Sequence, residues 1–469
     1  MSDGPVLSPT LKPFQVGALA LGCVIGFGCF VLPGDFLATA GPLGATVGVL
    51  LGGAAMLVIA RSYGVMVRAF PVAGAEFAYA YQAYGRYHAC VCGWFLALGY
   101  LSIVPLNATA LGVLGKFVAP QLFSQGYLYT VADFEVFSGE ILLASMAIVS
   151  IGVLQIRGVR SVGNLQIGMT MLLLGGVLVV GLATPISGTA SMAHLQPYFS
   201  PDRTPLAGVL AMLAIAPWLY VGFDTLPQAA EEFAFPPRQG LRLMVVSIGA
   251  GALIYAVVIL ATASVMPWRQ LIEGEPLWAT GTTVRESLGD AGLAVLCVAV
   301  MMALFTGING FFMASSRLLF GMGRAKLLPH WFARVHPTHR TPANAILFVL
   351  GVSLVAPWFG REVILWVVDM AALGTAFGYL YTCLAAARFA RGGEDDSTRG
   401  GHTGALTGAA LSVGFILLLC VPGMPGFMAV PSWIALAAWI SLGLAFFASR
   451  AGEYRALPPR ELDRLILRK

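Results

Sequence analysis

The stretch Leu19-Ala-Leu-Gly22-Cys-Val-Ile-Gly26-Phe-Gly28-Cys-Phe-Val-Leu-Pro33 is apolar enough to enter a bilayer yet poorly built to cross it as one unbroken helix. An interior glycine weakens a helix by roughly 1 kcal/mol relative to alanine. Backbone freed by unwinding survives at membrane depth only where it lines a cavity or is buried in protein. Two readings follow for Gly26-Phe27-Gly28. They form a break that lines a site, or their small size lets the helix pack closely on its neighbours.

The rest of the composition settles the setting. A chain with 58% hydrophobic residues, 10% charged residues and 56 glycines is not a soluble enzyme of this length but an all-α polytopic membrane protein. A helix needs roughly 20 apolar residues to cross the hydrocarbon core. Twelve runs qualify, at about 14–40, 43–60, 89–118, 136–156, 161–183, 206–230, 240–266, 288–322, 343–357, 363–388, 404–421 and 432–449. The first is not a cleaved signal peptide, because its core is broken by glycine and no small-residue cleavage site follows.

Lysine and arginine favour the cytoplasmic side of short loops. With the N-terminus inside, only Lys116, Arg203, Arg269, Arg285 and Arg361 fall outside, and the rest of the 27 lie inside. Both termini are therefore expected to be cytoplasmic, and the net charge of +5 reflects topology rather than a nucleic-acid partner. The seven cysteines lie in or at the ends of apolar runs, where a thiol packs as a small hydrophobe. The outside loops hold no cysteine, so no disulfide-linked subunit is expected, and neither a metal site nor a cofactor is indicated. The six histidines fall at run ends or in loops, away from any intramembrane proton relay.

In chain order, residues 1–13 read as a cytoplasmic tail, expected to be disordered through Lys12. The segment from Arg61 to Tyr81 reads as an inside connection, 119–135 as an outside loop, 389–403 as a solvated linker and 450–469 as a short basic tail. The sixth run repeats the oddity of the first: Pro217, Gly222, Asp224 and Pro227 stand in what should be bilayer. Interior proline removes a hydrogen bond and clashes with the preceding turn. A second interrupted span, five after the first, points to a carrier built from two inverted repeats.

The residues now quoted, together with Phe70-Pro-Val-Ala-Gly74-Ala-Glu76-Phe-Ala-Tyr79-Ala-Tyr81, Gly93-Trp94, Gly222-Phe-Asp224 with Glu231-Glu232, Ser316-Arg317, Gly323-Arg324 to Pro329, and Gly374-Thr375, resemble the amino acid–polyamine–organocation superfamily across about 14–450. The resemblance implies a leucine-transporter-type fold: 14–183 and 206–390 as inverted five-helix repeats, with two extra helices at 404–449. It also implies unwinding at Gly26-Phe27-Gly28 and near Pro217 to Gly222. A substrate carboxylate would then sit on amides of the first break and its ammonium on carbonyls of both breaks, in keeping with the partial charges of half-helix ends. The implied contacts are Val24, Ile25, Gly26, Phe27 and Gly28 with Trp218, Leu219, Tyr220 and Gly222.

This chain departs from the family pattern in two places. Phe27 replaces the usual hydroxyl and could pack on the substrate or offer a cation–π face to an amine. The lysine found midway along span five of many relatives is replaced by Leu173, after Gln166 and Thr170.

Among intramembrane polar groups, Asp224 either caps the following half-helix or binds an amine or proton. Asp369, about 9 Å into its run at 1.5 Å per residue, either gates or couples, or pairs with backbone near the interface. Glu231, Glu232 and Arg317 read as ion-pair members. Tyr100, Ser102, Asn107, Trp218, Tyr220 and Asn309 are pocket walls or ordinary packing residues. The function expected is secondary transport of amino acids or related amines by alternating access, either as uptake with a proton or sodium ion as driver, a proton passing through Asp224 or Asp369, or as exchange. A carrier of a carboxylate-free amine, such as an amino alcohol or polyamine, is the alternative; a transport-inactive sensor of the same fold is a weaker one. The short loops suit a bacterial inner membrane.

Overall fold

The computed structural model is helical almost throughout and describes residues 7, 9–131, 134–274, 278–360, 362–391 and 396–468; the side chains of Phe27, 159–162, 362–365 and 396–400 also lie outside the description. A bilayer offers no partner for backbone polar groups, so each spanning segment must close its own hydrogen bonds. The helices are α1 (Pro13–Val31), α2 (Pro33–Ala69), α3 (Ala75–Tyr84), α4 (Arg86–Val118), α5 (Ser138–Arg157) and α6 (Val159–Ile186). Short segments α7 (Pro205–Ala214), α8 (Ala216–Leu219) and α9 (Thr225–Gln228) follow. The chain closes with α10 (Gly240–Ser264), α11 (Ala279–Arg324), α12 (Ala343–Ser353), α13 (Glu362–Arg391), α14 (Asp396–Cys420) and α15 (Val430–Ala456).

Ten helices among the described residues are long and apolar enough to cross a membrane. The sixth and ninth apolar runs instead hold the shorter stretches Pro205–Ala214 and Ala343–Phe359. The apolar windows of α4 and α13 are 78% buried and that of α15 only 11%, so the middle of the bundle is built by the former and the last helix lies at its edge.

Several boundaries differ from the sequence reading. Helix α2 continues past its apolar end through Arg61 and Arg68 to Ala69, because hydropathy marks the membrane and not the end of the backbone ladder. What read as a connection is thus half helix, and α3 supplies most of the remainder. The outside loop after α4 holds a hairpin of β1 (Tyr127–Val131) and β2 (Phe134–Phe137), so the chain is not purely α-helical. The expected linker 389–403 is helical to Arg391 and again from Asp396, with 392–395 outside the described residues. In the N-terminal tail Leu7 and Leu11 are buried, and Leu11 bridges to Phe233; residues 1–6 and 8 lie outside the description.

The first apolar run is carried by α1 and the start of α2. At Gly41 the backbone turns with φ 71°, and a side chain there would meet the Phe199 main chain at 2.6 Å. Leu43 N–H donates to the Tyr198 carbonyl at 3.0 Å, tying the outside segment 198–200 to this corner.

Candidate functional site

Helix α1 leaves helical geometry at one residue, Gly26 (φ −6°, ψ −161°), and is helical again through Val31. The sixth run is interrupted more widely: α7 stops at Ala214, α8 is a single turn, and residues 220–224 turn before α9. Pro217 lies in the first turn of α8, where its missing N–H costs no helical bond, so the longer gap falls after it rather than at it. Gly222, at φ 136°, brings the two interruptions into contact. A Cβ there would lie 2.6 Å from the Val24 nitrogen, which leaves only glycine able to fill the position. A Cβ on Gly28 would collide with the Trp218 ring at 2.6 Å, whereas one on Gly26 meets nothing within 4 Å.

The open side of Gly26 faces a small cavity of about 20 Å³. Val24, Gly26 and Gly28 line it from α1, Trp218, Leu219 and Val221 from the sixth run, and Ile103, Leu106 and Asn107 from α4. This is about the space of one water molecule, so any solute the size of an amino acid requires these helices to part. The walls are apolar apart from a few groups. Asn107 Nδ2 donates to the Ile103 carbonyl at 2.8 Å, and its Oδ1 is buried without a partner.

Five of the expected contacts therefore meet here: Val24, Gly26, Gly28, Trp218 and Leu219. The Phe27 side chain lies outside the described residues. Ile25 is fully buried and does not line the cavity. Tyr220 turns its hydroxyl to the Val49 carbonyl at 2.7 Å, and Gly222 is consumed by packing on Val24. Asn309 is no wall either: its amide accepts from Gln155 at 2.8 Å and donates to Gln166 at 2.7 Å, because a buried amide must find partners. Gln166 and Thr170 in turn donate to the Ala18 carbonyl, so α6 holds α1 with neutral groups where Leu173 is buried.

Asp224 does not cap α9. Its Oδ1 accepts from the Gly222 N–H at 2.7 Å, upstream of the helix, and its Oδ2 is buried without a partner. Asp369 accepts from Ser432 Oγ at 2.8 Å and the Ala429 N–H at 3.3 Å, which ties α13 to the start of α15, and it does not line the cavity.

Sequence reasoning missed a second buried assembly around Glu76, on α3. Its Oε1 accepts from Tyr63 Oη at 2.9 Å and Tyr100 Oη at 3.1 Å, and its Oε2 accepts from Gln228 Nε2. Tyr100 also donates to the Asp224 carbonyl at 3.2 Å. Glu76 has 0% exposure. Outside the spanning helices, burial and then the negative charge of Asp224 push its carboxyl up to about 8. The available signal was a carboxylate set among Ala75, Phe77, Ala78 and Tyr79, a run too apolar for a solvated connection.

The neighbouring carboxylates behave differently. Glu232 pairs with Arg317 of α11 at 2.7 Å, with side-chain exposures of 2% and 0%. Glu231 pairs with Arg324 at 2.7 Å and with Arg468 at 3.3 Å, and accepts from the Ala73 N–H at 3.0 Å. Burial pushes the Glu231 carboxyl up, but Arg324 and Arg468 outweigh it and hold the group below its ordinary value. Leu11 N–H donates to the Glu232 carbonyl, so both ends of the described chain meet at the end of the sixth run.

Many long apolar helices packed around two interrupted ones, whose breaks touch at a small cavity, define a multi-pass membrane protein of the carrier class. A family model described as amino acid permease matches residues 11–446, and the chain belongs to that family. It is 27% identical to the methylthioribose transporter of Bacillus subtilis (strain 168) and 26% identical to the branched-chain amino acid permease BcaP of that organism. Each alignment covers 73% of this chain and 73% of the relative. The cationic amino acid transporter 9, chloroplastic, of Arabidopsis thaliana is 29% identical over 72% of this chain and 59% of its own length. The family and these relatives are transporters, not enzymes.

Proposed function

We propose that this protein is a secondary transporter of amino acids with apolar side chains, working by alternating access around the interruptions of α1 and the sixth run. Twelve spans in two inverted five-helix repeats plus two, with both termini cytoplasmic in a bacterial inner membrane, complete the reading. One observation carries it: the two helix breaks meet at Gly222 and Val24 and share one cavity. Amides after Gly26 would receive the carboxylate, and carbonyls of both breaks with the unpartnered Asn107 Oδ1 would receive the ammonium. The wall of Val24, Ile103, Leu106, Leu219 and Val221 suits a branched apolar side chain. It also bears on the amine alternative. No carboxylate lines the cavity, and a polyamine without a counter-charge would be expensive there.

The deciding experiment is a thermal-shift series on detergent-purified protein with valine, leucine, arginine, methylthioribose, isobutylamine and putrescine. A ligand of the native state raises the melting temperature by mass action, increasingly with concentration. Valine or leucine should stabilise the protein, and isobutylamine, which lacks the carboxylate, should not. Gly26→Leu should abolish the shift while the protein still folds, because a side chain there projects into open space. Stabilisation by the amines alone, or an undiminished valine shift in Gly26→Leu, would refute the site.

A further inference from the structure

We propose that Glu76 is a proton-binding residue, carrying one proton in the closed arrangement of α2, α3, α4 and the sixth run and giving it up when these elements separate. The inference rests on the carrier reading for what the proton is used for, namely to drive transport.

The argument begins with charge. Glu76 and Asp224 both have 0% exposure, and among the described residues neither forms an ion pair with a lysine or arginine. Two uncompensated carboxylates are not buried together. Like charges at a shared site raise the proton affinity of one of them. The groups that face Glu76 are Tyr63 on α2, Tyr79 on its own helix, Tyr100 and Cys92 on α4, and Asp224 and Gln228 of the sixth run. Tyr379 of α13 packs on Tyr63 with ring centroids 6.0 Å apart. Helix α11 brings Arg317, but its guanidinium is taken by Glu232 and Ser316. Tyrosine and cysteine side chains are ordinarily neutral near pH 7, so this surround supplies no positive charge.

Besides the charge, the hydrogen bonds leave a deficit of donors. Gln228, also at 0% exposure, uses its Nε2 on Glu76 while its Oε1 has no partner. Asp224 Oδ2 has none either. The hydroxyl hydrogens of Tyr63 and Tyr100 are already spent on Glu76 and the Asp224 carbonyl, and Gln228 gives one amide N–H to Glu76. A proton supplies what is missing: the anionic carboxylate of Glu76 takes up H⁺, becomes a neutral acid and gains an O–H to donate. The amide of Gln228 can rotate to accept it, and on opening the same proton passes to water. Tail residues 463 and 468 meet α3 and the segment leading into it, as the bonds Tyr81–Asp463, Arg468–Glu231 and Ala73–Glu231 show. Separation there would wet Glu76 first.

The test follows the proton itself and needs no transported solute. Infrared difference spectra of the purified full chain in detergent are recorded as pH rises from 5 to 9, with released protons counted by a dye. Wild type should lose a protonated-carboxyl C=O band in this range and release one proton per protein more than Glu76→Gln, the groups common to both cancelling in the difference; Glu76→Gln should lack that band. A band and release unchanged in Glu76→Gln, or no protonated carboxyl in wild type, would overturn the proposal. If Glu76→Gln does not fold, Glu76→Asp keeps the acid but shortens it, and the band must move in frequency and midpoint; an unmoved band overturns the proposal equally. A protein that titrates in this way yet gains no stability from any solute fails the carrier reading alone. One that valine stabilises but that shows no such carboxyl fails this inference alone.

Discussion

Two pairs of carboxylates with buried side chains, Glu231 with Glu232 and Glu76 with Asp224, are solved in opposite ways. Glu231 and Glu232 each hold an arginine at 2.7 Å, whereas Glu76 and Asp224 are surrounded by hydroxyls and an amide. The first pair is held by fixed guanidinium groups and clamps the sixth run to α11 and to the chain ends. The second has no fixed counter-charge and must answer to protons. Residues of one chemical type thus serve as fastener in one place and as a titrating group in the other, and only the partner decides which.

The widest separation between the two should come from removing a partner. Arg317→Met leaves Glu232 buried without its cation, and breaking such a pair costs about 3–5 kcal/mol. Thermal unfolding in detergent should show that loss, while Glu76→Gln, which strands no buried charge, should cost far less. Equal losses would erase the contrast.

A pH series sharpens it further. The Glu76 carboxyl is raised from 4.5 to about 8, so the folded protein binds more protons than the unfolded chain between those values. Its contribution is full below pH 4.5 and is lost as pH rises through about 8, at a slope of at most about 1.4 kcal/mol per pH unit. Glu231 is lowered, so its contribution is present above the ordinary carboxylate value and is lost as pH falls through the folded one. Melting temperature should therefore fall toward pH 8 in wild type, and Glu76→Gln should flatten that fall without touching the acid limb. A fall toward pH 8 of the same depth in Glu76→Gln would assign it to another group.

How far the sequence reached follows the same division. Hydropathy located the apolar runs, since a run of membrane length has few other uses. The glycines at 22, 26 and 28 and the prolines at 217 and 227 marked the two unusual runs, because backbone irregularity in a bilayer needs special residues. It could not say that Gly26 alone departs from helix in α1, or that Gly222 is spent on Val24, since both depend on how two segments meet. Asn309, Tyr220 and Tyr100 look like wall residues in one dimension, yet each turned to a partner more than 100 residues away. The partners of Glu76 were hidden for the same reason, since Tyr63, Tyr100 and Gln228 converge on it only through packing; its apolar neighbours in the chain signalled no more than burial.

The smallest effect is also the most specific. Tyr63 donates to Glu76 at 2.9 Å, and its ring packs edge-on against Phe223 at 5.4 Å and Tyr379 at 6.0 Å. Tyr63→Phe keeps those ring contacts and removes one hydrogen bond, for which about 1 kcal/mol is the usual scale. The loss falls unequally on the two forms of the acid, because a donor stabilises the carboxylate more than the neutral carboxyl. Glu76 in Tyr63→Phe should therefore hold its proton to higher pH than in wild type, visible as an alkaline shift of the infrared titration. Below pH 4.5 the stability difference between Tyr63→Phe and wild type should not vary with pH, since the acid is neutral there in folded and unfolded chains alike. If the tyrosine were only a packing residue, the titration would stay where it is; if Glu76 were clamped as Glu231 is, the loss of a neutral donor would not move it measurably against the field of its arginines.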